Sequence, residues 1–353
     1  MALASGPRPA PIVHDVGRSA PAPLLEVRDL RTQFWTKQGW LTAVNDVSFT
    51  LQAGRVLGVL GESGSGKSAM LRTILGIQPR SARVAGRAVL NGVDLLALSE
   101  HERENMRGSQ VSMVFQDPMT ALDPVFTVGQ QLIETIRRHH DMSKREAAAR
   151  ALEVLTLVQI PSPERRLQAY PFELSGGMRQ RVVIAMALVS NPSLLLADEP
   201  TTALDVTVQA RVLDLLSALR HELGMGIVFV THDLAVAAQI ADDIAVMYAG
   251  RIVEQGTVAE IVRSPRHPYT RGLLEANVRP GQRERPEAIA GAPPNLALLP
   301  PGCAFAPRCR EAEETCWESL PDFRTVTARH HARCLHVDAS RVNVEAVDAE
   351  EVA

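Results

Sequence analysis

The sequence predicts an α/β fold with a helical subdomain and a small C-terminal extension that contains the cysteines. Three observations support this prediction. A glycine-rich motif, Gly61 to Ser68, stands between an apolar strand-like run and a helical segment. A second apolar run, Ser193 to Ala197, ends in two acidic residues. All four cysteines lie within 32 residues near the C-terminus, whereas the preceding 302 residues contain none.

The glycine-rich motif matches the pattern G-x-x-x-x-G-K-[ST] at every fixed position. Val56 to Leu60 predicts the strand that enters the loop, and Ala69 to Leu75 predicts the helix that leaves it. Backbone N–H groups of such a loop, with the positive end of the helix, bind a polyphosphate. Because strand and helix are both in place, a fortuitous glycine-rich turn is disfavoured. The predicted nucleotide-binding residues are Gly61, Glu62, Ser63, Gly64, Ser65, Gly66, Lys67 and Ser68.

Two side chains of the loop and two acids of the second run have predicted roles at the phosphates. Lys67 reaches the β- and γ-phosphates, and the Ser68 hydroxyl ligates Mg²⁺. A buried strand that ends in Asp198 and Glu199 places the first acid to hold Mg²⁺. The second acid is then placed to orient or deprotonate the attacking water. Taken alone, this strand is weak support, because acids at strand ends are often solvated.

A third motif, Leu174 to Arg181, reads Leu-Ser-Gly-Gly-Met-Arg-Gln-Arg and precedes the apolar helical run Val182 to Leu188. Ser175, Gly176 and Gly177 stand at the N-terminus of that helix, where exposed N–H groups suit a second phosphate contact. In isolation, an ordinary N-capped helix explains the same residues.

With these motifs together, the chain resembles the nucleotide-binding subunit of an ATP-binding-cassette (ABC) transporter, which is a P-loop NTPase. Leu174 to Gln180 matches the signature motif of that family, and Gln116 matches its Q-loop. Ala203 to Asp205 matches the D-loop, and His232 matches the switch histidine. The six motifs follow the family's order and spacing over residues 24–270, and none departs from the pattern at a catalytic position.

The resemblance implies a role for each matching residue. Glu199 is the general base, and Asp198, Gln116 and Ser68 belong to the Mg²⁺ site. His232 senses the γ-phosphate, so that Glu199, His232 and Gln116 form the implied catalytic set. Hydrolysis then removes the charge that holds two ATPase subunits together, and their separation drives the membrane partner between states.

The resemblance also implies that ATP lies between two subunits docked head-to-tail. Ser175 and Gly177 of one subunit then contact the γ-phosphate of ATP held by the loop of the other, in a homodimer or a heterodimer. Phe34 lies where the family places the aromatic residue that stacks on adenine, although Trp35 and Trp40 compete for that role. The remaining implied nucleotide-binding residues are Phe34, Ser175, Gly176, Gly177 and Asp205.

Composition and charge agree with an ATPase whose pore belongs to other polypeptides. The 353 residues are 46% hydrophobic, enough for one large or two smaller cores. The net charge of −3 suggests no nucleic-acid partner. No apolar run approaches the roughly 20 residues that span a bilayer. We expect a chain bound peripherally to the cytoplasmic face of the cell membrane. The implied partners are two permease subunits and an extracytoplasmic substrate-binding protein.

The sequence divides into three predicted regions. Residues 1–23 contain five prolines and no continuous apolar segment, which predicts a disordered tail instead of a signal peptide. Residues 24–270 are the ATPase domain, with a strand-rich start over 24–98 and a helical subdomain over about 120–188. Residues 271–353 are the extension, which carries the cysteines and an acidic tail.

Local patterns predict several individual elements. Ser143 and Glu146 form a capping box. An apolar helical stripe follows it at Ala148, Ala151, Leu152, Leu155 and Val158. A second stripe precedes the strand Ile227 to Val230, at Val208, Val212, Leu215 and Leu219. Tyr248 to Ile252 predicts a hairpin turn centred on Gly250.

Two segments outside the ATPase motifs resemble oligopeptide and dipeptide importers: Ser264 to Leu274 and Gly302 to Cys309. Nickel importers share much of this pattern and are the second candidate. ABC ATPases of DNA repair insert long coiled coils, for which the interval from Ser68 to Asp198 is too short. Those of translation usually carry two cassettes, whereas this chain has one phosphate loop. A further alternative treats 275–353 as a separate metal-binding module fused to the ATPase.

The cysteines predict a metal site in the extension. They are Cys303, Cys309, Cys316 and Cys334. A cytosolic protein rarely keeps disulfides, so clustered thiols there suggest a bound metal. The spacing differs from the C-x₂₋₄-C pairs of structural zinc, and the similar tail of some peptide-importer ATPases implies a [4Fe–4S] cluster. Four free thiols, or zinc with a histidine in place of one thiolate, are the alternatives. The candidate histidines are His330, His331 and His336.

Overall fold

The computed structural model describes residues 22–117, 121–202, 204–276 and 288–337, in which the strands form two sheets. The strands are β1 Leu25–Thr36, β2 Gly39–Leu51, β3 Val56–Leu60, β4 Arg83–Leu90, β5 Val93–Asp94, β6 Val111–Val114, β7 Leu194–Asp198, β8 Gly226–Thr231, β9 Asp243–Tyr248, β10 Arg251–Thr257, β11 Arg324–Thr325 and β12 His331–Ala332. Helices with described bounds are α1 Lys67–Leu75, α2 Glu100–Met106, α3 Val128–His139, α4 Lys144–Leu157, α5 Pro163–Arg166, α6 Gly176–Leu188, α7 Val206–Leu223, α8 Leu234–Ile240, α9 Val258–Arg263, α10 Pro268–Ala276 and α11 Glu314–Glu318.

The larger sheet has the order β11-β12-β10-β9-β3-β8-β7-β6. Strands β9, β3, β8, β7 and β6 run parallel, and β10, β12 and β11 add to one edge in antiparallel fashion. The smaller sheet is antiparallel with the order β2-β1-β4-β5. The α/β prediction and the strand-rich start of the chain are confirmed.

The parallel strands are buried on both faces. Leu195 and Phe229 belong to one apolar cluster, whereas their neighbours on β7 and β8, Leu196 and Val228, belong to another. Side chains alternate across a strand, so continuous apolar runs fill two cores at once. This explains why these strands lack the polar alternation of a half-exposed sheet.

The carboxyl ends of the parallel strands lie at one edge and position the site. There, β3 leads into the glycine-rich loop, β7 ends at Asp198, and β8 is followed by His232. Gln116 stands two residues after the end of β6. In open parallel sheets this edge is where ligands bind. The helix predicted after the loop is confirmed and begins at Lys67, two residues before the predicted start.

The described part of the segment from Gln116 to Leu188 is helical, with α3 to α5 before the third motif and α6 beginning inside it. The capping box is confirmed, because Ser143 Oγ accepts from the Glu146 N–H and Glu146 Oε2 accepts from the Ser143 N–H. The predicted stripe is partly wrong: Ala148 and Leu152 are only half-buried. The buried residues of that helix and its C-cap are Ala147, Ala151, Val154, Leu155 and Val158.

The hairpin prediction is confirmed, because β9 and β10 pair across Ala249 and Gly250, both of which have positive φ. The second predicted stripe is buried except at Val208, which is half-buried. Among the described helices, none combines the length and the hydropathy needed to span a bilayer.

The C-terminal extension continues the ATPase sheet. Strand β12 pairs with β10 through Glu254 with Ala332 and Gln255 with His331, and β11 pairs with β12. Of the predicted tail over residues 1–23, residues 1–21 lie outside the described residues, and so do residues 338–353 with the acidic tail. The division into domains stays a prediction.

Candidate active site

The glycine-rich loop closes around its own lysine. Lys67 Nζ donates to the Gly61 carbonyl oxygen at 2.6 Å and to the Glu62 carbonyl oxygen at 3.0 Å. The side chain is buried, and burial lowers the Lys67 pKa, while the charges of Glu199, Asp198 and Glu62 act in the opposite direction. The loop therefore holds a cation in the space that the predicted polyphosphate needs.

Two glycines of this loop are required by close approaches of the backbone. A Cβ on Gly61 would lie 2.2 Å from the Met247 carbonyl oxygen. Gly66 has φ of 104°, and its Cβ would lie 2.3 Å from the Ala43 carbonyl oxygen. A side chain at either position would displace the loop from β9 or β2, and the positive φ at Gly66 would add strain.

The two strongest candidates for Mg²⁺ ligands lie together. Ser68 Oγ donates to Asp198 Oδ1 at 2.8 Å. Asp198 is buried at the end of β7, and burial raises its pKa, which the Ser68 hydrogen bond partly offsets. A hydroxyl and a carboxylate are oxygen ligands of the kind that Mg²⁺ prefers. The arrangement fits the predicted cation site next to the loop.

Glu199 contacts both of the other candidate catalytic residues, Gln116 and His232. Its Oε2 accepts from Gln116 Nε2 at 3.2 Å and lies 3.3 Å from His232 Nδ1. Thr202 Oγ1 also donates to it, at 3.0 Å. Glu199 has φ of 45°, in the left-handed region, and its N–H donates to the Val230 carbonyl oxygen at 3.0 Å. Backbone strain of this kind often accompanies a functional position.

Two residues of this cluster extend the sequence prediction. Gln116, predicted for both the catalytic set and the Mg²⁺ site, donates to the candidate base, and its part in the Mg²⁺ site stays a prediction. Thr202 was missed, although its position three residues after Glu199 in Glu-Pro-Thr-Thr places it next to a strand-end acid. That proximity was the only sequence signal available for it.

The third motif lies on the helical part of the chain. Ser175 Oγ accepts from the Met178 N–H at 3.3 Å and caps α6, and Asp205 caps α7 through the Val208 N–H at 3.0 Å. A Cβ on Gly177 would lie 2.4 Å from Val208 Cγ1, so α6 and α7 pack closely here. Both polar side chains thus bond to their own helices. Ala203, in the D-loop match, lies outside the described residues.

The candidate adenine-stacking residues lie on β1 and β2. Phe34 is half-buried, whereas Trp35 is 63% exposed. Trp35 packs edge-on against Trp40 with ring centroids 5.2 Å apart, and the Arg83 guanidinium lies 3.9 Å from the centroid of the Trp40 ring. This packing gives Trp40 other partners, and the choice of Phe34 stays a prediction.

The four cysteines lie around one cavity of the extension. Cys303, Cys309, Cys316 and Cys334 all line it, together with His336. The thiols are free, and the Cys303 N–H donates to the Cys316 carbonyl oxygen at 2.7 Å. Within the described ranges, however, no group of three or more His, Cys, Asp or Glu side chains forms a preorganised metal site. The predicted iron–sulfur cluster and its zinc alternative are therefore not confirmed.

All three histidines considered as zinc ligands have other partners, and His336 Nε2 lies 2.8 Å from the Glu311 carbonyl oxygen. His330 Nε2 lies 2.7 Å from Glu254 Oε1, and both side chains are buried. His331 Nδ1 lies 3.2 Å from Thr325 Oγ1 on the neighbouring strand. His336 alone among these three histidines lines the cysteine cavity.

Comparison with known proteins decides the family. Residues 44–202 match the ABC transporter family, and residues 253–316 match the C-terminal region of oligopeptide/dipeptide transporters. The oligopeptide transport ATP-binding protein OppD of Escherichia coli is 50% identical over 299 residues, covering 84% of this chain and 89% of that protein. The chain belongs to the ABC transporter ATPases. OppD of Bacillus subtilis is 48% identical to this ABC ATPase over 334 residues, covering 93% of each chain.

Solved structures show the same fold. The ATP-binding cassette MJ0796, a dimer in a post-hydrolysis state bound to ADP and Pi, superposes with a TM-score of 0.59. It is 29% identical and covers 66% of this chain and 98% of its own. CbiO1 of Clostridium perfringens, part of an ABC transporter complex, superposes with a TM-score of 0.60 at 28% identity, covering 69% of this chain and 91% of its own. As an ABC ATPase, this chain uses ATP and Mg²⁺ and hydrolyses the nucleotide.

Proposed function

We propose that this ABC ATPase energises the import of oligopeptides or dipeptides through separate membrane permease subunits. The observation that carries the proposal is the match of residues 253–316 to the C-terminal region of oligopeptide/dipeptide transporters. Two relatives that align over most of the chain are named for oligopeptide transport. These names favour peptides as the transported substrate over nickel, which was the second candidate from the sequence analysis.

The proposed chemistry begins with capture of the triphosphate by the loop. Lys67 Nζ already lies inside the loop, held by two carbonyl oxygens, so the entering phosphates meet a positive charge. Ser68 and Asp198 would hold Mg²⁺, whose charge helps to neutralise the β- and γ-phosphates. The exposed N–H groups at the start of α1 add further donors.

Glu199 is the proposed base. Its carboxylate is held from several sides, by Gln116 and Thr202 as donors and by the nearby imidazole of His232. The attacking water transfers its proton to Glu199 as its oxygen forms the new bond to the γ-phosphorus, and the bond to the β-phosphate oxygen breaks. Donors fixed in advance keep the carboxylate oriented while this occurs.

We also propose that the complete site needs a second ATPase subunit. Ser175 and Gly177 stand at the N-terminus of α6, a helix end suited to a phosphate. The D-loop residue Asp205 caps α7, which packs against Gly177. The related cassette MJ0796 was observed as a dimer, which supports a two-subunit arrangement here. The second subunit is either a copy of this chain or a related ATPase.

The permease is proposed to dock next to Gln116. A cavity of about 210 Å³ opens there, between the end of β6 and helix α6, with half-exposed Phe115 at its edge. Its lining includes Val111, Met113 and Val183, and an amphipathic helix docks by laying its apolar face into a hydrophobic groove. Pro118 and Met119, which follow in the sequence and would belong to the same surface, lie outside the described residues. This docking would hold the chain at the cytoplasmic face of the membrane, with the substrate-binding protein on the opposite side.

Reconstitution tests the transport proposal. The chain is assembled with candidate peptide permeases and placed in proteoliposomes with a peptide-binding protein. We expect ATP-dependent accumulation of a labelled dipeptide or tetrapeptide, and none when the chain carries Glu199→Gln. Accumulation of Ni²⁺ without either peptide, or co-purification with no membrane protein, would contradict the proposal.

We further propose that the four cysteines hold a [4Fe–4S] cluster. The support is their convergence on one cavity as free thiols, in a region with little apolar core of its own. Such a cluster takes four thiolates and needs no histidine. Its role would be structural, since it would join three separate segments of the extension. Its bound iron would supply the positive charge that four thiolates in one cavity require.

Anaerobic purification followed by iron, sulfide and zinc assays tests the cluster. We expect about four iron and four sulfide per chain, a brown colour, and loss of both in Cys316→Ser. Stoichiometric zinc, or no metal in a folded chain, would contradict the cluster. An exposed serine substitution outside the cavity, Thr315→Ser, serves as the control for handling.

A further inference from the structure

The C-terminal extension reaches the phosphate-binding loop through one arginine. Arg308, which ends the 3₁₀ turn Ala306–Arg308, forms a two-pronged ion pair with Glu62, the second residue of the glycine-rich loop. Nη1 lies 2.7 Å from Oε2 and Nη2 lies 3.0 Å from Oε1, across 246 residues of sequence. Such paired contacts are stronger and more directional than single ones.

The guanidinium is itself fixed in place. The Arg308 side chain is only 6% exposed. Its Nε donates to the Ala290 carbonyl oxygen at 2.9 Å, and its two terminal nitrogens also lie 3.4 Å from the Tyr248 hydroxyl and the Ile289 carbonyl oxygen. Contacts on every nitrogen leave the guanidinium little freedom to leave Glu62.

Glu62 is held at its backbone as well. Its N–H donates to the Tyr269 hydroxyl at 2.8 Å, and its carbonyl oxygen accepts from Lys67 Nζ at 3.0 Å and from the Ser65 N–H at 3.2 Å. Tyr269 is fully buried and packs on Tyr248, with ring centroids 4.5 Å apart. The first turn of the loop is thus defined partly by residues far beyond the ATPase motifs.

The charge of Glu62 makes this contact relevant to ATP. A carboxylate in the loop would repel the triphosphate. The negative charge of Glu62 also acts on Lys67, whose pKa it raises. Ion pairing with a buried arginine neutralises that carboxylate and turns it away toward the extension. Without Arg308, the carboxylate would be partly buried, unpaired, and free to compete for Lys67.

We propose that Arg308 is a positioning residue for ATP binding: it neutralises and orients Glu62, and thereby keeps the phosphate-binding loop preformed. Arg308 acts on the nucleotide only through Glu62. Through this ion pair the extension stabilises the conformation of the loop. This role is separate from the choice of transported substrate.

Binding and turnover measurements on the full-length chain test this role. The dissociation constant of a fluorescent ATP analogue, KM and kcat are compared for the wild type, Arg308→Gln, Glu62→Gln and the double variant. We expect Arg308→Gln to raise the dissociation constant and KM roughly tenfold, with kcat within about twofold, because only preformed binding is lost. The double variant should bind like Glu62→Gln, since removal of the carboxylate removes the need for its partner.

The matched control is Arg271→Gln, which breaks the exposed ion pair between Arg271 and Glu311 in the same part of the chain. It should bind the analogue like the wild type. Unchanged binding in Arg308→Gln, equal weakening in Arg271→Gln, or a double variant as weak as Arg308→Gln would overturn the proposal. If Arg308→Gln alone does not fold, the double variant measured against Glu62→Gln decides. The proposal rests on ATP binding at the loop, which the wild type and Arg271→Gln report independently of Arg308.

Discussion

The ATPase sheet and the C-terminal extension are stabilised by different contacts. Strands β3, β7 and β8 are buried on both faces by large apolar clusters. The extension has two-residue strands and a short helix, with a small apolar cluster of its own. That cluster consists of Val326, Ala332, Cys334 and Val337. Further apolar contacts of the extension, such as those of Phe305, are shared with the ATPase.

Polar contacts attach the extension to the ATPase at defined points. Glu254 on β10 accepts from His330, and Thr327 Oγ1 donates to Glu260 Oε1 at 2.6 Å. Arg308 adds the contact to Glu62 described above. Apolar burial is tolerant of small shifts, whereas ion pairs depend on exact placement of both partners. We therefore expect the extension to loosen, and so to affect the ATP site, without unfolding of the sheet.

The largest expected effect is that of Glu199→Gln on kcat, which should fall although the ATPase stays folded. Glu199→Gln keeps the shape of the side chain but removes the base, so kcat should fall by roughly 10²–10⁴-fold while ATP still binds. ATP-bound dimers should accumulate, as seen by size-exclusion chromatography with ATP and Mg²⁺. Glu222→Gln, an exposed acid at the end of α7, is the control. Hydrolysis by Glu199→Gln near the wild-type rate would show that another group is the base.

The next effect tests the attachment of the extension. His330→Ala removes a buried hydrogen-bond partner of the Glu254 carboxylate, which keeps the Arg266 and His267 N–H donors, and the loss should cost about 3 kcal/mol. Hydrogen exchange should show that residues 288–337 become less protected, while β7 and β8 keep their protection. Arg271→Gln, which breaks an exposed pair, should cost no more than about 1 kcal/mol. Equal loss of protection in sheet and extension would show that the two regions unfold as one unit.

The smallest expected effect concerns Lys67, which would contact ATP directly, whereas Arg308 would act on ATP only through Glu62. Lys67→Ala removes the cation inside the loop, which should weaken ATP binding by about 1.5–3 kcal/mol, the usual worth of charged hydrogen bonds. Isothermal titration with ATP measures the loss, and Ser143→Ala on α4 controls for general destabilisation. Because Lys67 faces the phosphates directly, its loss should exceed that of Arg308→Gln. A larger loss of ATP affinity in Arg308→Gln than in Lys67→Ala would show that Arg308 contributes more to ATP binding than the lysine of the loop.

Sequence patterns located the elements that carry the candidate ATP site where a motif is contiguous. Gly61 to Ser68 and the acids at the end of β7 are each set by local backbone chemistry, so their residues were identifiable one by one. Thr202 was missed, and the hydrogen bond from Gln116 to Glu199 was not identified, because hydrogen-bond partners depend on how separate strands align. The apolar stripe predicted on α4 was wrong at Ala148 and Leu152, which are only half-buried. The buried face of α4 is set by its packing against α3 and α6, which the sequence of α4 alone does not specify.

By itself, the sequence determined the α/β class, the phosphate-binding loop, the order of the ATPase motifs and the clustering of cysteines. These are properties of short segments, in which residue type and spacing decide backbone conformation and charge. Only the tertiary structure decided that β12 joins the ATPase sheet beside β10, and that Arg308 pairs with Glu62. Both contacts join residues far apart along the chain, and no local pattern encodes which distant partner a strand edge or a guanidinium will meet.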